Sequence, residues 1–352
     1  MKTVSEHENK PSKPSRRRFI LLLCAIGLVI AGWSGAWLFG RSVLADQLET
    51  QLQALKSNGL DLSCSDLAIA GYPFRYEVYC RDLESNDRFG TKGALGGLNA
   101  VALIYNPWHI IFEAKAPASI TEPFSGLLGE MRWDTARASV KFSSTALGAF
   151  DAVLSKPEAA FENPVSSGLF AAEKAELHLR NAPETTNAVE GFVSVDALQL
   201  KSLPEFAALI DMRGHVQVAG GAALLSGANL AGLVQQRNGR LPVKLVLFET
   251  VLGESRVDAA GDLLINGDGT VSGNINLTIG NADGLLELIK PLFPPQDNSF
   301  SIVSSVVQSL KGAESEVNGM PSITLPVAID QGLIRIGFLT LGRIPPLFSA
   351  GT

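Results

Sequence analysis

Hydrophobic and polar positions divide the chain into three parts. Residues 19–40 form an uncharged run, FILLLCAIGLVIAGWSGAWLFG, which as a helix crosses the roughly 30 Å hydrocarbon core of a bilayer. Residues 41–58 continue with leucines at spacings of four, four and three, a pattern that predicts one helical stripe packed on the chain's own sheet. From residue 59 onward apolar and polar residues alternate, which is typical of strands with one face on a core. The stripe consists of Leu44, Leu48, Leu52 and Leu55.

The alternating part predicts a mainly β (β-rich α+β) domain, an elongated and curved antiparallel sheet with short helices. The alternation is clearest in residues 74–81, 138–142, 175–180, 215–218, 271–279 and 323–329. Two turn sequences, at residues 266–269 and 330–332, predict hairpins. The short helices are predicted at residues 145–154, 203–210, 282–292 and 299–310.

The basic cluster at the N-terminus predicts the orientation of the apolar run. Residues 1–18 contain six Lys or Arg and two Glu, a net of +4, whereas residues 42–352 contain 22 basic and 33 acidic residues, a net of −11. Arg16, Arg17 and Arg18 directly precede the run, and Trp33 and Trp37 lie near its far end. The positive-inside rule therefore predicts a disordered cytoplasmic stub (1–18), a transmembrane helix (19–40), a helical stalk (41–58) and a domain across the membrane (59–352).

Two other interpretations of the N-terminus stay open. Val43-Leu44-Ala45 has the small residues of a signal-peptidase site, but the apolar run is longer than the usual 7–15 residues of a signal peptide. Ser15-Arg16-Arg17-Arg18-Phe19 also has the form of a twin-arginine signal, although nothing in the sequence indicates the cofactor that such signals often accompany.

Composition excludes several classes of protein. Charged residues are 18% of the chain and hydrophobic residues 46%, which excludes disorder over most of its length. A net charge of −6 and a pI of about 5.4 argue against a nucleic-acid partner. Three cysteines in 352 residues exclude a disulfide-dense miniature scaffold.

Two cysteines flank a predicted turn at Gly71-Tyr72-Pro73. If the hairpin is symmetric about Tyr72, Ala70 faces Phe74 and Cys64 faces Cys80. Directly opposed residues lie close enough for a disulfide after small adjustment, and the predicted compartment is oxidising. The alternative is a pair of unpaired core thiols.

Three motifs carry a resemblance to a known family. They are Cys64…AGYPFR…Cys80, the segment YNPWH at residues 105–109, and DQGL…G…LG followed by Pro345 near the C-terminus. Across residues 45–350 the chain resembles the domain of unknown function 2125 (DUF2125) family, envelope proteins of Gram-negative bacteria with one N-terminal anchor and no assigned activity. The resemblance implies that the N-terminal helix is anchored in the inner membrane, with the C-terminal domain in the periplasm. The chain is more distantly similar to AsmA-like envelope proteins, some of which are associated with lipid handling.

No motif for catalysis, metal binding or a cofactor is present, so an enzyme is not expected, and no residue is assigned a catalytic or metal-binding role. His7, His109, His178 and His215 are far apart and fit no metal-ligand spacing. A Ser/His/Asp triad assembled from distant positions stays open. The segment 266–269 reads as a turn rather than a calcium loop, and residues 105–109 read either as a recognition loop or as a turn packed on the sheet.

The functional hypothesis is an apolar ligand, such as a lipid, on the concave face of the sheet. The residues predicted for that face are Ile275, Leu277, Ile279, Leu325, Val327 and Ile336. The alternative for these residues is a closed core under the helices at 282–292 and 299–310. The alternative function is a structural or scaffolding protein that binds another envelope protein. A ligand-binding face should be left open by the helices, whereas a scaffold should bury both main faces of its sheet.

Overall fold

A single long helix begins the part of the chain that the structure describes. The computed structural model describes residues 16–143, 146–293, 299–317, 319–337 and 339–348, so most of the predicted stub lies outside it. Helix α1 runs from Arg16 to Ser57 and includes the three arginines that were predicted to be disordered. Among the described residues it alone is long and apolar enough to cross a membrane. Its apolar run and leucine stripe form one continuous helix with no break at residue 40.

The rest is mainly β, as predicted. The described strands are β1 (Leu60–Ala70), β2 (Arg75–Asp87), β3 (Lys92–Leu103), β4 (Asn106–Glu122), β5 (Leu127–Arg132), β6 (Thr135–Phe142), β7 (Leu147–Ser155), β8 (Glu158–Glu162), β9 (Ser167–Ala171), β10 (Lys174–Asn181), β11 (Val189–Leu200), β12 (Ile210–Val218), β13 (Arg240–Leu252), β14 (Ser255–Asn266), β15 (Val271–Gly280), β16 (Ser315–Val317), β17 (Met320–Asp330), β18 (Leu333–Ile336) and β19 (Leu339–Arg343). The later helices are α2 (Leu230–Gln236), α3 (Ala282–Ile289) and α4 (Ser299–Leu310), with 3-10 turns at Gly221–Ser226, Lys290–Leu292 and Lys311–Ala313.

The strands form an antiparallel meander in which each pairs with its neighbours along the chain. Strands β1 to β4 pair in order. The pairs β5/β6, β7/β8 and β9/β10 act as three long strands, each interrupted once, because both halves of each continue the same pairing. Strands β11 to β15 follow in order, and β17, β18 and β19 complete the sheet. Both predicted hairpins, β14–β15 and β17–β18, are confirmed.

The interruptions fall on one line across adjacent strands. Asp134 N–H bonds to the Ser155 carbonyl (3.0 Å), Lys156 N–H to Glu173 (2.8 Å), and Glu173 N–H to Asp196 (3.0 Å). Lys156 adopts a positive φ of 47° there. Bulges bend the strand that carries them, and the next strand, β11, has a register shift between Val195 and Leu198 on the same line.

The two faces of the sheet differ sharply in chemistry. Directly paired residues project from the same face, and one row of such residues crosses thirteen strands with only apolar side chains or glycine. The row is Ile69, Val78, Ala100, Phe112, Ala138, Ala152, Leu177, Val193, Gly214, Phe248, Ala259, Leu277 and Leu325. The neighbouring row on the other face is Asn99, Glu113, Arg137, Val153, Glu176, Ser194, Arg213, Glu249, Asp258, Thr278 and Thr324. We call these the apolar face and the polar face.

Helices cover the apolar face at its C-terminal end. Helix α2 contributes Leu233 and Val234 to a buried cluster with Leu241 and Ile265. Helices α3 and α4 cover the last strands through a second cluster. That cluster contains Ala282, Ile323 and Leu325, with Ile279, Val307 and Ile336 packed against it.

Two of the four predicted helices are confirmed and two are wrong. Residues 282–292 form α3 and a 3-10 turn, and residues 299–310 form α4. Residues 147–154 instead belong to β7, because strand partners on both sides satisfy its backbone groups; residue 145 of that prediction lies outside the described part. Residues 203–209 form turns closed by Leu203 N–H to Leu200 and Phe206 N–H to Leu203 (both 2.9 Å). Helix α2 was not predicted.

Candidate functional site

An apolar groove lies on the open part of the apolar face. It has a volume of about 470 Å³ and crosses strands β3, β4, β6 and β7. The lining residues are Leu98, Phe112, Ala114, Ala136, Arg137, Ala138, Val140, Phe142, Phe150, Ala152 and Leu154. The four alanines are too short to fill the space that the larger side chains enclose. Arg137 pairs with Glu113 on the polar face (4.0 Å).

The apolar face stays accessible beyond the groove at Leu177 and Val193 and is closed towards the C-terminus. Leu177 and Val193, which continue the row from Ala152, are 39% and 47% exposed. Leu325, at the far end of the same row, is 8% exposed, and Val327 is 2% exposed. Large apolar side chains exposed together on one face are typical of an interaction surface.

The six residues predicted for a ligand face lie together, as the alternation predicted. Ile275 pairs with Val327 and Leu277 with Leu325, while Ile279 and Ile336 pack on the cluster under α4. Leu325 and Val327 are buried, so this end of the face is core in the structure. The groove residues were not singled out from the sequence, although the alternation in 138–142 and 175–180 was a signal for them.

Helix α1 packs beside the first strands of the sheet. Its leucine stripe is half-buried, whereas most of the intervening residues are exposed. The Trp37 indole stacks on the Tyr76 ring at a centroid distance of 5.7 Å, and Tyr76 lies on the apolar face opposite Ala102. Arg41 Nε donates to the Ile69 carbonyl (3.1 Å). The helix therefore packs along β1 and β2 on the side of the groove.

The end of the apolar run also holds the turn between β1 and β2. Trp33 Nε1 donates to the Pro73 carbonyl (2.9 Å) and Trp37 Nε1 to the Arg75 carbonyl (3.1 Å). Ser34 Oγ lies 2.9 Å from the Tyr72 hydroxyl. Trp37 is the buried residue of α1, so its contact with the start of β2 belongs to the folded structure of the domain.

The structure contains the predicted Cys64–Cys80 disulfide, but the predicted register of the hairpin is wrong. Cys64 lies opposite Leu83 and Cys80 opposite Leu67, with a Cα–Cα distance of 5.7 Å. The reason is that six residues, 71–76, separate the innermost pair, so that Ala70 faces Glu77 rather than Phe74. Asp82, which adopts a positive φ of 48°, lies in β2 between Cys80 and the residue opposite Cys64. The disulfide therefore spans this irregular position of the strand.

Ion pairs run across the polar face. Glu249 accepts from Arg256 (2.5 Å) and lies 3.4 Å from Arg213. A hydrogen bond from Lys174 lowers the pKa of Glu176, against a desolvation that acts to raise it. Hydrogen bonds that Arg256 donates to Asp258 raise the pKa of Arg256. Glu249 is itself buried, and its charge is matched by Arg213 and Arg256 within the chain.

The histidines and the two loops singled out in the sequence lie apart from the groove's lining. His109, His178 and His215 contact Ser139, Asp151 and Glu190 on the polar face. Within the described residues no cluster of His, Cys, Asp or Glu could hold a metal ion. The Asp268 carboxylate accepts from Thr270 N–H (2.9 Å) inside its own turn.

Comparisons with known proteins give a family and no described function. The family model described as "Uncharacterized protein conserved in bacteria (DUF2125)" matches residues 37–345. No curated protein and no solved structure matches the chain. The family match begins at Trp37, within α1, and includes the disulfide, the groove and the closing hairpin. The chain therefore belongs to the DUF2125 family.

Proposed function

We propose that this protein is a membrane-anchored lipid-binding protein that holds an acyl chain or a similar apolar ligand in the groove. The observation that carries the proposal is the row of apolar residues across thirteen strands, half-buried from Phe112 to Ala152 and exposed at Leu177 and Val193. Ligand pockets are typically 300–1,000 Å³ and mostly apolar, and the groove fits both criteria. The proposal assigns binding to the protein, not catalysis.

We further propose that α1 is a permanent anchor in the inner membrane, with the sheet in the periplasm. Cleavage after Ala45 would remove Trp33 and Trp37 and leave Tyr72 and Tyr76 without the rings they contact. The basic residues before the apolar run support a cytoplasmic N-terminus. A periplasm-dependent reporter fused to the C-terminus should be active, and an active cytosol-dependent reporter there would overturn the orientation.

The groove lining favours a chain-like apolar ligand over a polar one. Ten of its eleven lining residues are apolar, and the charged one, Arg137, is engaged with Glu113. A polar ligand there would lose its hydrogen bonds to water without replacement, which is unfavourable. An acyl chain loses nothing of this kind and gains about 25 cal/mol for each Å² of apolar surface removed from water.

A pair of matched variants tests the proposal. Ala138→Glu places a carboxylate in the groove, and Thr135→Glu places the same charge on the same strand but on the opposite face. Full-length protein is purified in mild detergent, and its bound lipid is measured by native mass spectrometry and by lipid extraction. We expect lipid on the wild type and on Thr135→Glu, and loss of that lipid from Ala138→Glu with its melting temperature nearly unchanged.

Two results would contradict lipid binding. Wild-type protein that carries no lipid under these conditions would leave the scaffold hypothesis in its place, as would equal lipid on Ala138→Glu and wild type. If Ala138→Glu unfolds, Val193→Glu serves as the second variant, because Val193 is on the same face and nearly half exposed.

A further inference from the structure

Aromatic side chains are exposed at the turns that lie beside the apolar run of α1. The β1–β2 turn carries Tyr72 and Phe74, and the β3–β4 turn carries Tyr105, followed by Trp108 at the start of β4. Each of the four is more than half exposed. The two turns are adjacent, because Ile104 N–H donates to the Phe74 carbonyl (3.0 Å).

The contacts of α1 fix the depth of these turns relative to a membrane. If Phe19 marks the inner edge of the hydrocarbon core, Trp33 lies fourteen residues, or about 21 Å, along the helix and Trp37 about 27 Å along it. The core is about 30 Å thick, with interfacial regions of several ångströms beyond it. Trp33 holds the Pro73 carbonyl and Trp37 the Arg75 carbonyl, so the β1–β2 turn meets α1 at the outer boundary of the core.

The chemistry of the turns matches that position. Tyrosine and tryptophan concentrate at membrane interfaces because the ring is apolar and one atom of it is polar. The ring of Phe74 approaches that of Trp33 (centroids 6.3 Å), and the ring of Tyr72 meets that of Trp37 edge-on (5.5 Å). The turns thus continue a belt of aromatic rings that α1 begins.

We propose that the β1–β2 and β3–β4 turns insert Tyr72, Phe74, Tyr105 and Trp108 into the interface of the same bilayer that α1 spans. The occupant of this exposed aromatic surface is the phospholipid bilayer. The domain would then contact the membrane through two hairpin turns as well as through α1. This inference depends on α1 as a membrane anchor, but it does not depend on a ligand in the groove.

Strand β4 offers a matched pair of positions for the experiment. Tyr105 precedes its first residue and Phe124 follows its last by two, and they are 78% and 81% exposed. The two positions are nineteen residues apart, which at about 3.3 Å per residue is roughly 60 Å along the strand. They therefore differ in distance from the turns that contact Trp33 and Trp37, and hardly at all in exposure.

The experiment uses a fluorescent label at each position in the full-length protein. Tyr105→Cys and Phe124→Cys are made in a Cys24→Ser background with the Cys64–Cys80 disulfide intact, and each is labelled with an environment-sensitive nitrobenzoxadiazole dye. The proteins are reconstituted into vesicles of phosphatidylethanolamine and phosphatidylglycerol, with or without a lipid that carries a nitroxide near its headgroup. We expect a blue-shifted emission and several-fold stronger quenching for the label at 105 than for the label at 124. Trp108→Cys provides a second labelled position with the same expectation.

Equal quenching at 105 and 124, or water-like emission at both 105 and 108, would overturn the proposal. These outcomes are distinct from a failure of the groove hypothesis, because the label reports contact with the bilayer whether or not lipid is bound in the groove.

Discussion

The indole of Trp37 lies stacked on the phenol ring of Tyr76, and the Tyr76 hydroxyl donates back to the Trp37 carbonyl (3.3 Å). This pair joins the apolar helix to the sheet at the level where the sheet begins. Gly40 allows the close approach, because a Cβ at that position would lie 2.0 Å from the Tyr76 hydroxyl oxygen. The helix is therefore part of the folded domain, in addition to any role in a membrane.

Replacement of the indole should loosen the domain as a whole. We expect Trp37→Ala to lower the free energy of unfolding by about 3 kcal/mol, in the range for removal of a large buried aromatic side chain. Thermal unfolding of the detergent-solubilised protein measures the effect. Leu28→Ala is the control, because Leu28 is exposed on the same helix and should leave the midpoint unchanged. Equal midpoints for Trp37→Ala and wild type would show that the contact does not stabilise the fold.

The disulfide should stabilise the first hairpin against unfolding. A closed loop of about 15 residues is worth roughly 3 kcal/mol in the chain-entropy model. We expect the double variant Cys64→Ser/Cys80→Ser to melt at a lower temperature by a corresponding amount, and reduction of the wild type to have the same effect. Cys24→Ser should be neutral, since Cys24 is exposed on α1. Peptide mapping without reduction should recover the linked pair, and two free thiols in freshly isolated protein would contradict the bond.

Charges on the apolar face should act differently at its two ends. Val327→Glu should unfold the protein, because Val327 is almost fully buried and an unpaired buried charge is strongly unfavourable. Val193→Glu, on the same face, should leave the melting temperature nearly unchanged, since solvent reaches the side chain. Circular dichroism at increasing temperature distinguishes the two, and an unfolded Val193→Glu would mean that the middle of the face is closed.

Glu77 should make the stability of the first hairpin depend on pH in the acidic range. The Tyr79 hydroxyl donates a hydrogen bond that holds the pKa of Glu77 below its ordinary value of 4.5, although desolvation acts to raise it; Asn99 and Arg75 add smaller effects. Since the folded-state pKa is lower than that of the unfolded chain, the stabilisation is complete above about pH 4.5 and is lost as the pH falls through the folded-state pKa.

Two variants test whether Glu77, rather than another carboxylate, is responsible for this pH dependence. The difference in unfolding free energy between wild type and Glu77→Gln should be largest near neutral pH and shrink below about pH 4.5. Tyr79→Phe removes the main donor and should reduce the same dependence. A difference between wild type and Glu77→Gln that is constant from pH 7 to pH 3 would contradict the assignment.

Alternation predicted segments of β2, β6, β10, β12, β15 and β17, and turn chemistry predicted two hairpins, whereas β7 was predicted as a helix. The closing hairpin at Asp330-Gln331-Gly332 and the β14–β15 turn are local features, and local sequence determines them. The register of the first hairpin is different, because the connection has six residues instead of the predicted three and this moves every later pair. Cys64 and Cys80 lie three positions from direct opposition, and the positive φ of Asp82 beside them is not indicated by any local sequence pattern.

The groove could be predicted only in part. The residues of its face follow from alternation, and Ala138 and Val140 were recognised as one side of a strand. Which part of the face stays open depends on where helices α2, α3 and α4 pack, and that is a tertiary property. The sequence-based choice of Leu325 and Val327 was therefore made on the apolar face, at the end that the helices cover.

The meander has a consequence for how such a chain folds. Nearly every strand finds its partner in the next stretch of sequence, so few pairings wait for a distant segment to arrive. Sheets dominated by distant contacts fold slowly because long loops must close first, and this sheet avoids most of those closures. A chain that folds from its N-terminal end can add one strand at a time to a growing edge, with Trp37 and Tyr76 holding the first hairpin as a template.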